Sequence, residues 1–313
     1  MPEITYGRWS PTEVMERVLD GTWVAATPET AGYFAGGFVS SNVDTVDKLN
    51  FQSETILTLG TGLSSARSNL AGFSSTAFGY AAGGTTGTAV TTVDKFDFSD
   101  DSRTTLGTGL SAARQFLGAF ASSTNGYTIG GFEATYTATV DKFLFSTDAR
   151  STLGTGLSSA RRSLAGFYSS TNGYAAGGYT GSNVSTVDKF LFSTDARSTL
   201  GTGLSSARRG NAGCQSSTNG YSLGGFTSTF ISTIDKVLFS TDVISTLGTG
   251  LSVARTEATG ASSNDAGYVA GGREASVSPV DTIDKILFST DGVTTLVTTL
   301  SSTRYNPAGF SAL

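Results

Sequence analysis

The 313-residue sequence contains no histidine, one cysteine and only five prolines. Without histidine, a Ser-His-Asp triad and a histidine-based zinc site are both excluded. The single cysteine, Cys214, excludes a disulfide within the chain. It stands where Phe73, Phe120 and Phe167 stand elsewhere in the sequence, which predicts a buried or half-buried thiol. We therefore expect neither a metal nor another cofactor.

Charge is also scarce, since only 14% of the residues are charged and the formal net charge of −5 is spread along the chain. Nucleic acid and anionic membrane surfaces need a basic patch, so neither is an expected partner. No apolar run approaches the roughly 20 residues of a membrane helix. Residues 1–21 lack the basic start and apolar core of a signal peptide. The sequence thus predicts a soluble protein without an export signal.

Glycine is abundant, with 40 residues, and a glycine pair returns every 47 positions. The six pairs are Gly36-Gly37, Gly83-Gly84, Gly130-Gly131, Gly177-Gly178, Gly224-Gly225 and Gly271-Gly272. A constant period of this length indicates one supersecondary unit copied six times. The period favours one closed array over the two ordinary domains that the length alone would allow.

Each copy contains four short extended runs separated by turn residues. In the fourth copy the predicted strands A to D cover residues 163–168, 174–177, 186–192 and about 197–200. Strand C carries Val187 and Leu191 on one face, and Phe190 and Phe192 on the other, which predicts a strand buried on both sides. Six such units predict an all-β, six-bladed β-propeller of four-stranded antiparallel blades. A β-helix is the alternative.

The order of motifs within each copy resembles the kelch repeat. Its elements are a Tyr-x-x-Gly-Gly segment, a strand such as Val187-Asp188-Lys189-Phe190, and an Arg before the next strand A. The resemblance covers about residues 23–313 and implies a propeller. Kelch repeats carry a Trp in strand D, where this chain has Leu106, Leu153, Leu200, Leu247 and Leu296. The chain is therefore kelch-like, and a partner inherited from that family is in doubt.

Two segments compete for strand A of the first blade. Residues 23–26 fall in register with Tyr33, and residues 305–310 repeat the strand A pattern after Arg304. We expect the two ends of the chain to meet in one blade, which is a common way to close a propeller.

Residues 1–22 precede the repeats and are predicted to be an anchor segment with a short helix. Ser10-Pro11-Thr12-Glu13 has the form of a capping box. Val14, Met15, Val18 and Leu19 then form an apolar stripe that ends at Asp20-Gly21. A helix of about nine residues is not stable alone. It must dock, either on its own propeller or, as an assembly anchor, on sister subunits or a larger particle.

Repeated charges predict structural ion pairs within or between blades. An Asp-Lys pair recurs in strand C, as in Asp188-Lys189, and its side chains point to opposite faces. One Arg per copy, such as Arg161 and Arg208, recurs before strand A. A ring of arginines could instead bind an anion in the channel, but a role present in every blade more readily serves the blade.

The segments between strands B and C differ most among the copies and share one face of the disc with the D-to-A connections. Tyr136 and Phe230 are the best candidates for ligand or partner contact, because aromatic rings suit sugar stacking and protein interfaces. Further candidates are Phe38, Tyr179, Arg273 and Glu274. For Phe38, Tyr179 and Phe226 the alternative is packing against the neighbouring blade.

These observations predict a structural or binding propeller that is not an enzyme. Its near-identical, Ser/Thr/Gly-rich and Lys-poor units are similar in style to propellers of phage virions, such as tail fibres, baseplate appendages and capsid decorations. Expected partners are other virion proteins or sister subunits through the N-terminal segment, and a host-surface glycan through the variable loops. Two alternatives are a freestanding lectin-like or protein-binding module and a glycan-cleaving enzyme that uses Glu133 or Glu274.

Overall fold

The computed structural model describes residues 30–276 and 278–313. This part of the chain is all-β, and its strands form six four-stranded antiparallel sheets. The innermost strands of successive sheets contact one another in a closed ring. The predicted six-bladed propeller is thereby confirmed, and the β-helix is excluded because a β-helix does not close on itself. The predicted N-terminal helix and the boundary at residue 22 lie outside the described residues.

Strands are numbered in chain order, and each blade runs from the inner to the outer strand. Blade one contains β26 (Ala308–Ala312), β1 (Ala31–Ala35), β2 (Val46–Asn50) and β3 (Ile56–Thr58). Blade two contains β4 (Ala71–Ser74), β5 (Phe78–Ala82), β6 (Val93–Asp97) and β7 (Arg103–Thr105). Blade three contains β8 (Gly118–Ala121), β9 (Asn125–Ile129), β10 (Val140–Leu144) and β11 (Ala149–Thr152).

The other three blades follow the same order. Blade four contains β12 (Ala165–Tyr168), β13 (Asn172–Ala176), β14 (Val187–Leu191) and β15 (Ala196–Thr199). Blade five contains β16 (Ala212–Gln215), β17 (Asn219–Phe226), β18 (Phe230–Leu238) and β19 (Val243–Thr246). Blade six contains β21 (Thr259–Ser262), β22 (Ala266–Ala270), β24 (Ile283–Leu287) and β25 (Gly292–Thr295), and a small separate sheet pairs β20 (Arg255–Thr256) with β23 (Arg273–Glu274).

The C-terminal strand supplies the inner strand of blade one. β26 pairs antiparallel with β1, with Ala308 opposite Ala35 and Ala312 opposite Ala31. The C-terminal segment therefore supplies this strand, a choice that the sequence left open, and the expected meeting of the two ends in one blade is confirmed. The competing segment 23–26 lies outside the described residues. Arg304, just before β26, also forms an ion pair with Asp47 of β2 at 2.8 Å. Blade one is thus held together by the same contacts as the continuous blades.

The repeated glycine pair lies where one blade meets the next. Gly177 has a φ of 69°, and a Cβ there would come within 2.7 Å of the carbonyl oxygen of Arg208. The backbone N–H of Gly178 donates to that same oxygen at 2.8 Å. Positive φ and the close approach of two backbones both favour glycine. The pair recurs every 47 residues because every blade makes this contact.

A buried ion pair sits inside each blade and joins its inner edge to strand C. Asp188, which is 0% exposed, accepts hydrogen bonds from Arg161 at 3.0 Å, Thr199 at 2.6 Å and Ser158 at 2.8 Å. The six pairs are Arg304–Asp47, Arg67–Asp94, Arg114–Asp141, Arg161–Asp188, Arg208–Asp235 and Arg255–Asp284. These arginines are buried beside carboxylates, so they do not form an anion site in the channel.

Contacts between blades form a second repeated set. Lys189 of blade four contacts Asp242 of blade five at 2.7 Å, and the hydroxyl of Tyr174 donates to the same carboxylate at 2.9 Å. The Tyr174 ring stacks on Phe239 with centroids 5.2 Å apart. The same kinds of contact join blade six to blade one, where Phe51 stacks on Tyr268 at 4.7 Å and Lys285 contacts Glu54. Together these contacts and the buried pairs are called the framework below.

One prediction about strand C needs correction. Leu191 was expected on a buried face, but it is 40% exposed, as are its counterparts Leu144 and Leu238 to nearly the same extent. Leu191 ends the strand next to the C-to-D turn, where the neighbouring blade no longer covers it. Strand C is therefore buried at Val187, Asp188 and Phe190, whereas its last residue, Leu191, is exposed.

Candidate functional site

One end of the central channel is surrounded by a ring of backbone hydrogen bonds. At equivalent positions before each strand A, a residue with positive φ donates its N–H to the carbonyl of its counterpart in the preceding blade, over 2.7 to 3.0 Å. These six residues define the mouth of the channel: Asn69, Phe116, Ser163, Gly210, Glu257 and Asn306. Five of them carry a side chain in a conformation that favours glycine, and the ring holds them there.

The side chains of the mouth differ in every blade except for the two asparagines. The mouth opens into a cavity of about 110 Å³. The inner strands approach so closely that a Cβ on Gly166 would overlap the backbone of Ala119. We therefore expect an oligosaccharide-sized ligand to lie over the mouth and contact the loops around it.

The B-to-C segments lie on this same face, as the sequence predicted. Tyr179 pairs with Arg162 through backbone hydrogen bonds at 2.9 and 3.1 Å, and Phe226 pairs with Arg209 in the same way. Each pairing ties a B-to-C segment to the connection that leads into its own strand A. The side chains after the glycine pairs are thereby fixed at the rim of the mouth.

Aromatic rings and arginines alternate along blades three to five. The Arg162 guanidinium lies 5.3 Å from the ring centre of Phe132, 5.8 Å from Tyr136 and 5.6 Å from Tyr179. Arg209 lies 4.7 Å from both Tyr179 and Phe226. We call these six residues the aromatic–arginine arc: Phe132, Tyr136, Arg162, Tyr179, Arg209 and Phe226. All of them are half-buried, so part of each side chain faces solvent.

Blades six and one carry a different cluster. Arg273 lies 5.1 Å from the ring centre of Tyr305 and 3.6 Å from the Glu257 carboxylate, and the Phe38 and Tyr305 rings are 5.3 Å apart. Burial raises the pKa of Glu257, although Arg273, Arg209 and Arg162 oppose this effect. This side of the mouth therefore contains its own carboxylate, whereas the arc does not.

The structure brings together some of the predicted contact residues and separates others. Tyr136 and Tyr179 meet edge to face at 5.8 Å in the arc. Phe230 lies at the end of the arc, where it begins β18 and contacts Phe226 at 5.6 Å. Phe38 and Arg273 belong to the other cluster, and Glu274 is half-buried in β23. The Tyr179 ring lies within 6 Å of Arg162 and of Arg209 in the neighbouring blade, which is the packing expected as the alternative for this residue, and it remains only half-buried.

Sequence reasoning missed Arg162 and Arg209 as residues of this face. A usable signal was present, because the residue after the repeated arginine is Arg in only two copies. The other copies have Ser68, Gln115, Thr256 and Tyr305 at that position. The tandem arginines 161–162 and 208–209 look alike in sequence, but the first of each pair is buried beside an aspartate and the second lies at the surface.

Other kinds of site find little support in the part of the chain that the structure describes. No group of three or more His, Cys, Asp or Glu side chains there is placed to hold a metal ion. Nor does any helix within residues 30–276 and 278–313 have the length and apolar character needed to cross a membrane. Cys214 is buried, as predicted, and burial raises the pKa of its thiol.

The sequence matches no protein-family model, and no curated protein matches it.

Proposed function

We propose that the protein is a non-enzymatic binding propeller whose mouth face contacts a glycan. One observation carries this proposal: aromatic and arginine side chains that differ among the blades collect on that face, above a framework that repeats in every blade. Tyr136 and Tyr179 are only half-buried, and exposed faces of such rings stack well on sugars. A rigid scaffold that presents variable side chains on one face is typical of binding proteins.

The arrangement of the acids supports a non-enzymatic role. The aspartates of strand C are buried in ion pairs of the framework and are unavailable for chemistry. Glu133 lies in blade three and Glu274 in blade six, which are on opposite sides of the ring. A carboxylate pair for glycoside hydrolysis must instead lie within about 10 Å. The glycan-cleaving alternative is therefore the weaker proposal.

We further propose that the propeller is a kelch-like component of a phage virion, such as a tail fibre, baseplate or capsid appendage. The support is the order of the repeated motifs and the Ser/Thr/Gly-rich, Lys-poor composition of near-identical units. In this proposal residues 1–22 attach the disc to other virion proteins or sister subunits through Val14, Met15, Val18 and Leu19. A freestanding lectin-like module would have the same mouth without this attachment.

The glycan proposal is tested by binding of the full chain to an array of bacterial surface polysaccharides. The matched variants are Tyr136→Ala in the arc and Leu191→Ala, which removes an exposed apolar side chain on the opposite face. We expect binding to weaken about tenfold with Tyr136→Ala, in line with the loss of one stacking contact, and to stay unchanged with Leu191→Ala. Absence of binding to any polysaccharide, or release of reducing sugar, would contradict the proposal.

The attachment proposal is tested by the solution mass of the full chain beside a chain that starts at Thr22. A defined oligomer that becomes a folded monomer on truncation would support it. Monomers in both cases would leave a different virion protein as the required partner, which pull-down with purified virion proteins then tests.

A further inference from the structure

Arg162 differs from the other arginines of the described residues in the partners of its guanidinium. The six repeated arginines each form an ion pair with a buried aspartate. The strand D arginines, such as Arg150, donate to threonine and lie within 4 Å of an aspartate. Within residues 30–276 and 278–313, the Arg162 side chain forms no hydrogen bond and no ion pair. Its Nε has no partner, which is also true of the six repeated arginines.

Aromatic rings surround this guanidinium instead. Phe116 lies 4.8 Å away, and Phe132, Tyr136 and Tyr179 lie within 6 Å. Cation–π contacts stabilise the charge by about 0.5–1 kcal/mol at exposed sites, but they do not satisfy the N–H groups. A half-buried guanidinium therefore retains hydrogen-bond donors that no group of the described protein accepts.

Arg209 adds a second positive charge next to the first. The Arg209 guanidinium lies 4.7 Å from the ring centre of Tyr179, and it donates one hydrogen bond to the neutral side-chain oxygen of Asn183 at 3.0 Å. No carboxylate of the described residues lies within 4 Å of either guanidinium. By contrast, Arg273 has Glu257 at 3.6 Å. Glu257 attracts both Arg162 and Arg209 only from beyond 4 Å, whereas it contacts Arg273 directly, so positive charge is less compensated on the arc than on the other side of the mouth.

We propose that the arc binds a carboxylate-bearing sugar residue of an acidic polysaccharide. The carboxylate accepts hydrogen bonds from Arg162, and Arg209 adds electrostatic attraction. The apolar face of the sugar ring packs on Tyr136 or Tyr179. Planar guanidinium groups match carboxylates in geometry, and aromatic rings match the C–H face of a sugar. Arg273 is already paired with Glu257, so the acidic residue binds on the arc side of the mouth.

This inference rests on the proposed glycan binding and narrows it to one class of glycan. The test is isothermal titration of the full chain with acidic oligosaccharides, namely tetragalacturonate, a hyaluronan tetrasaccharide and an α2,8-linked sialic acid trimer. Each acidic probe is paired with its methyl ester, which keeps the ring and removes the charge. The variants are Arg162→Gln, Arg162→Lys and, as a charge-matched control on strand D, Arg150→Gln.

We expect at least one acidic probe to bind about tenfold or more tightly than its ester. Arg162→Gln should abolish that difference, Arg162→Lys should restore part of it, and Arg150→Gln should leave it intact. Binding of the acidic probe to the unmodified chain should also weaken with added NaCl, whereas binding of the ester should not. This salt measurement does not depend on whether a variant folds.

Three results would overturn the inference, and they are distinguishable. If acids and esters bind equally, or if only neutral polysaccharides of the array bind, the acidic-sugar inference is wrong while the glycan-binding function stands. If neither these probes nor the array binds, both the inference and the proposed function are wrong. If the Arg162→Gln variant still binds the acidic probe more tightly than its ester, another group binds the carboxylate, and the assignment to Arg162 is wrong.

Discussion

The framework and the mouth are built from the same repeat, but their arginines differ in whether they form ion pairs. In the framework every buried arginine faces an aspartate, as Arg161 faces Asp188 at 3.0 Å, and the pattern holds where blade six meets blade one. At the mouth, Arg162 is next in sequence to Arg161 but has no carboxylate partner among the described residues. The comparison indicates that a buried ion pair holds the first arginine of the tandem pair and that no such pair holds the second.

The strongest way to break the framework is to remove one partner of a buried pair. Asp188→Asn leaves the Arg161 charge buried and uncompensated, and we expect it to lower the free energy of unfolding by about 3–5 kcal/mol. Urea unfolding monitored by circular dichroism measures this loss. The control is Asp195→Asn, because Asp195 contacts Lys142 with 27% of its side chain exposed. Equal losses in the two variants would contradict a special role for the buried pair.

A smaller loss is expected when a methyl group is added at the junction of two blades. Gly177→Ala places a side chain at a φ of 69° and pushes its Cβ toward the Arg208 carbonyl. We expect the free energy of unfolding to fall by about 2 kcal/mol, from backbone strain and overpacking together. Gly201→Ala is the matched control, since nothing lies within 4 Å of a Cβ there. A neutral Gly177→Ala would show that the pair is replaceable.

Acid should weaken the framework. Burial alone would raise the pKa of Asp188, but Arg161 and hydrogen bonds from Thr199 and Ser158 outweigh it and lower the pKa. The unfolded chain therefore binds protons at a higher pH, near a pKa of about 3.9, than the folded chain does. Stability from this group is fully present above that pH and is lost as the pH falls through the folded pKa.

Urea midpoints between pH 7 and pH 2 test this expectation. The midpoint should stay level at the upper end and fall at the acidic end, and Asp188→Asn should make the fall shallower. A midpoint that rises on acidification would contradict the assignment, because it would mean that the buried aspartates are destabilising when charged.

The ion pairs between blades should matter less than those within blades. Lys189 and Asp242 are 21% and 28% exposed, so solvent screens their attraction. We expect Lys189→Met to cost about 0.2–1 kcal/mol, with a smaller cost at high salt. A double-mutant cycle with Asp242→Asn isolates the pair. A coupling energy as large as the loss caused by Asp188→Asn would show that the ion pairs between blades stabilise the protein as much as those within blades.

A similarly small effect on stability is expected at the mouth. Arg162→Gln removes cation–π contacts but no ion pair, so it should cost about 0.5–1 kcal/mol in unfolding free energy. Urea unfolding monitored by circular dichroism measures this loss, and the Asp188→Asn variant is measured in parallel for comparison. A loss of several kcal/mol would mean that Arg162 belongs to the framework, and would weaken the contrast between tandem arginines.

The architecture could be predicted because it follows from local repetition. The glycine pair, the turn residues and the alternation of strand C recur in each copy, and each has a local physical cause. Ion-pair partners could not be assigned, because Asp242 lies 53 residues from Lys189 and only the packing of adjacent blades brings them together. Leu191 was placed wrongly because its exposure depends on where the neighbouring blade ends.

The candidate site was predicted only in part for a related reason. The variable B-to-C segments identified Tyr136, Tyr179 and Phe230 from differences among the copies. The sequence did not separate Arg162 from Arg161, because both are arginines in adjacent positions. Neighbouring side chains in extended backbone point to opposite sides, so one of the two is buried and the other lies at the surface. Comparing the copies position by position, rather than motif by motif, separates the two arginines.

The pairing of β26 with β1 also has a consequence for synthesis. The Arg304 guanidinium donates to the carbonyl of Phe34, 270 residues earlier in the chain. Among the described strands, β1 to β3 are synthesised before the others. They therefore lack their inner neighbour, β26, until the five other blades have been synthesised. Contacts between such distant residues slow folding. Until the last strand is translated, the edge of β1 is open to pairing with other chains, which makes blade one the point at which a nascent propeller needs protection.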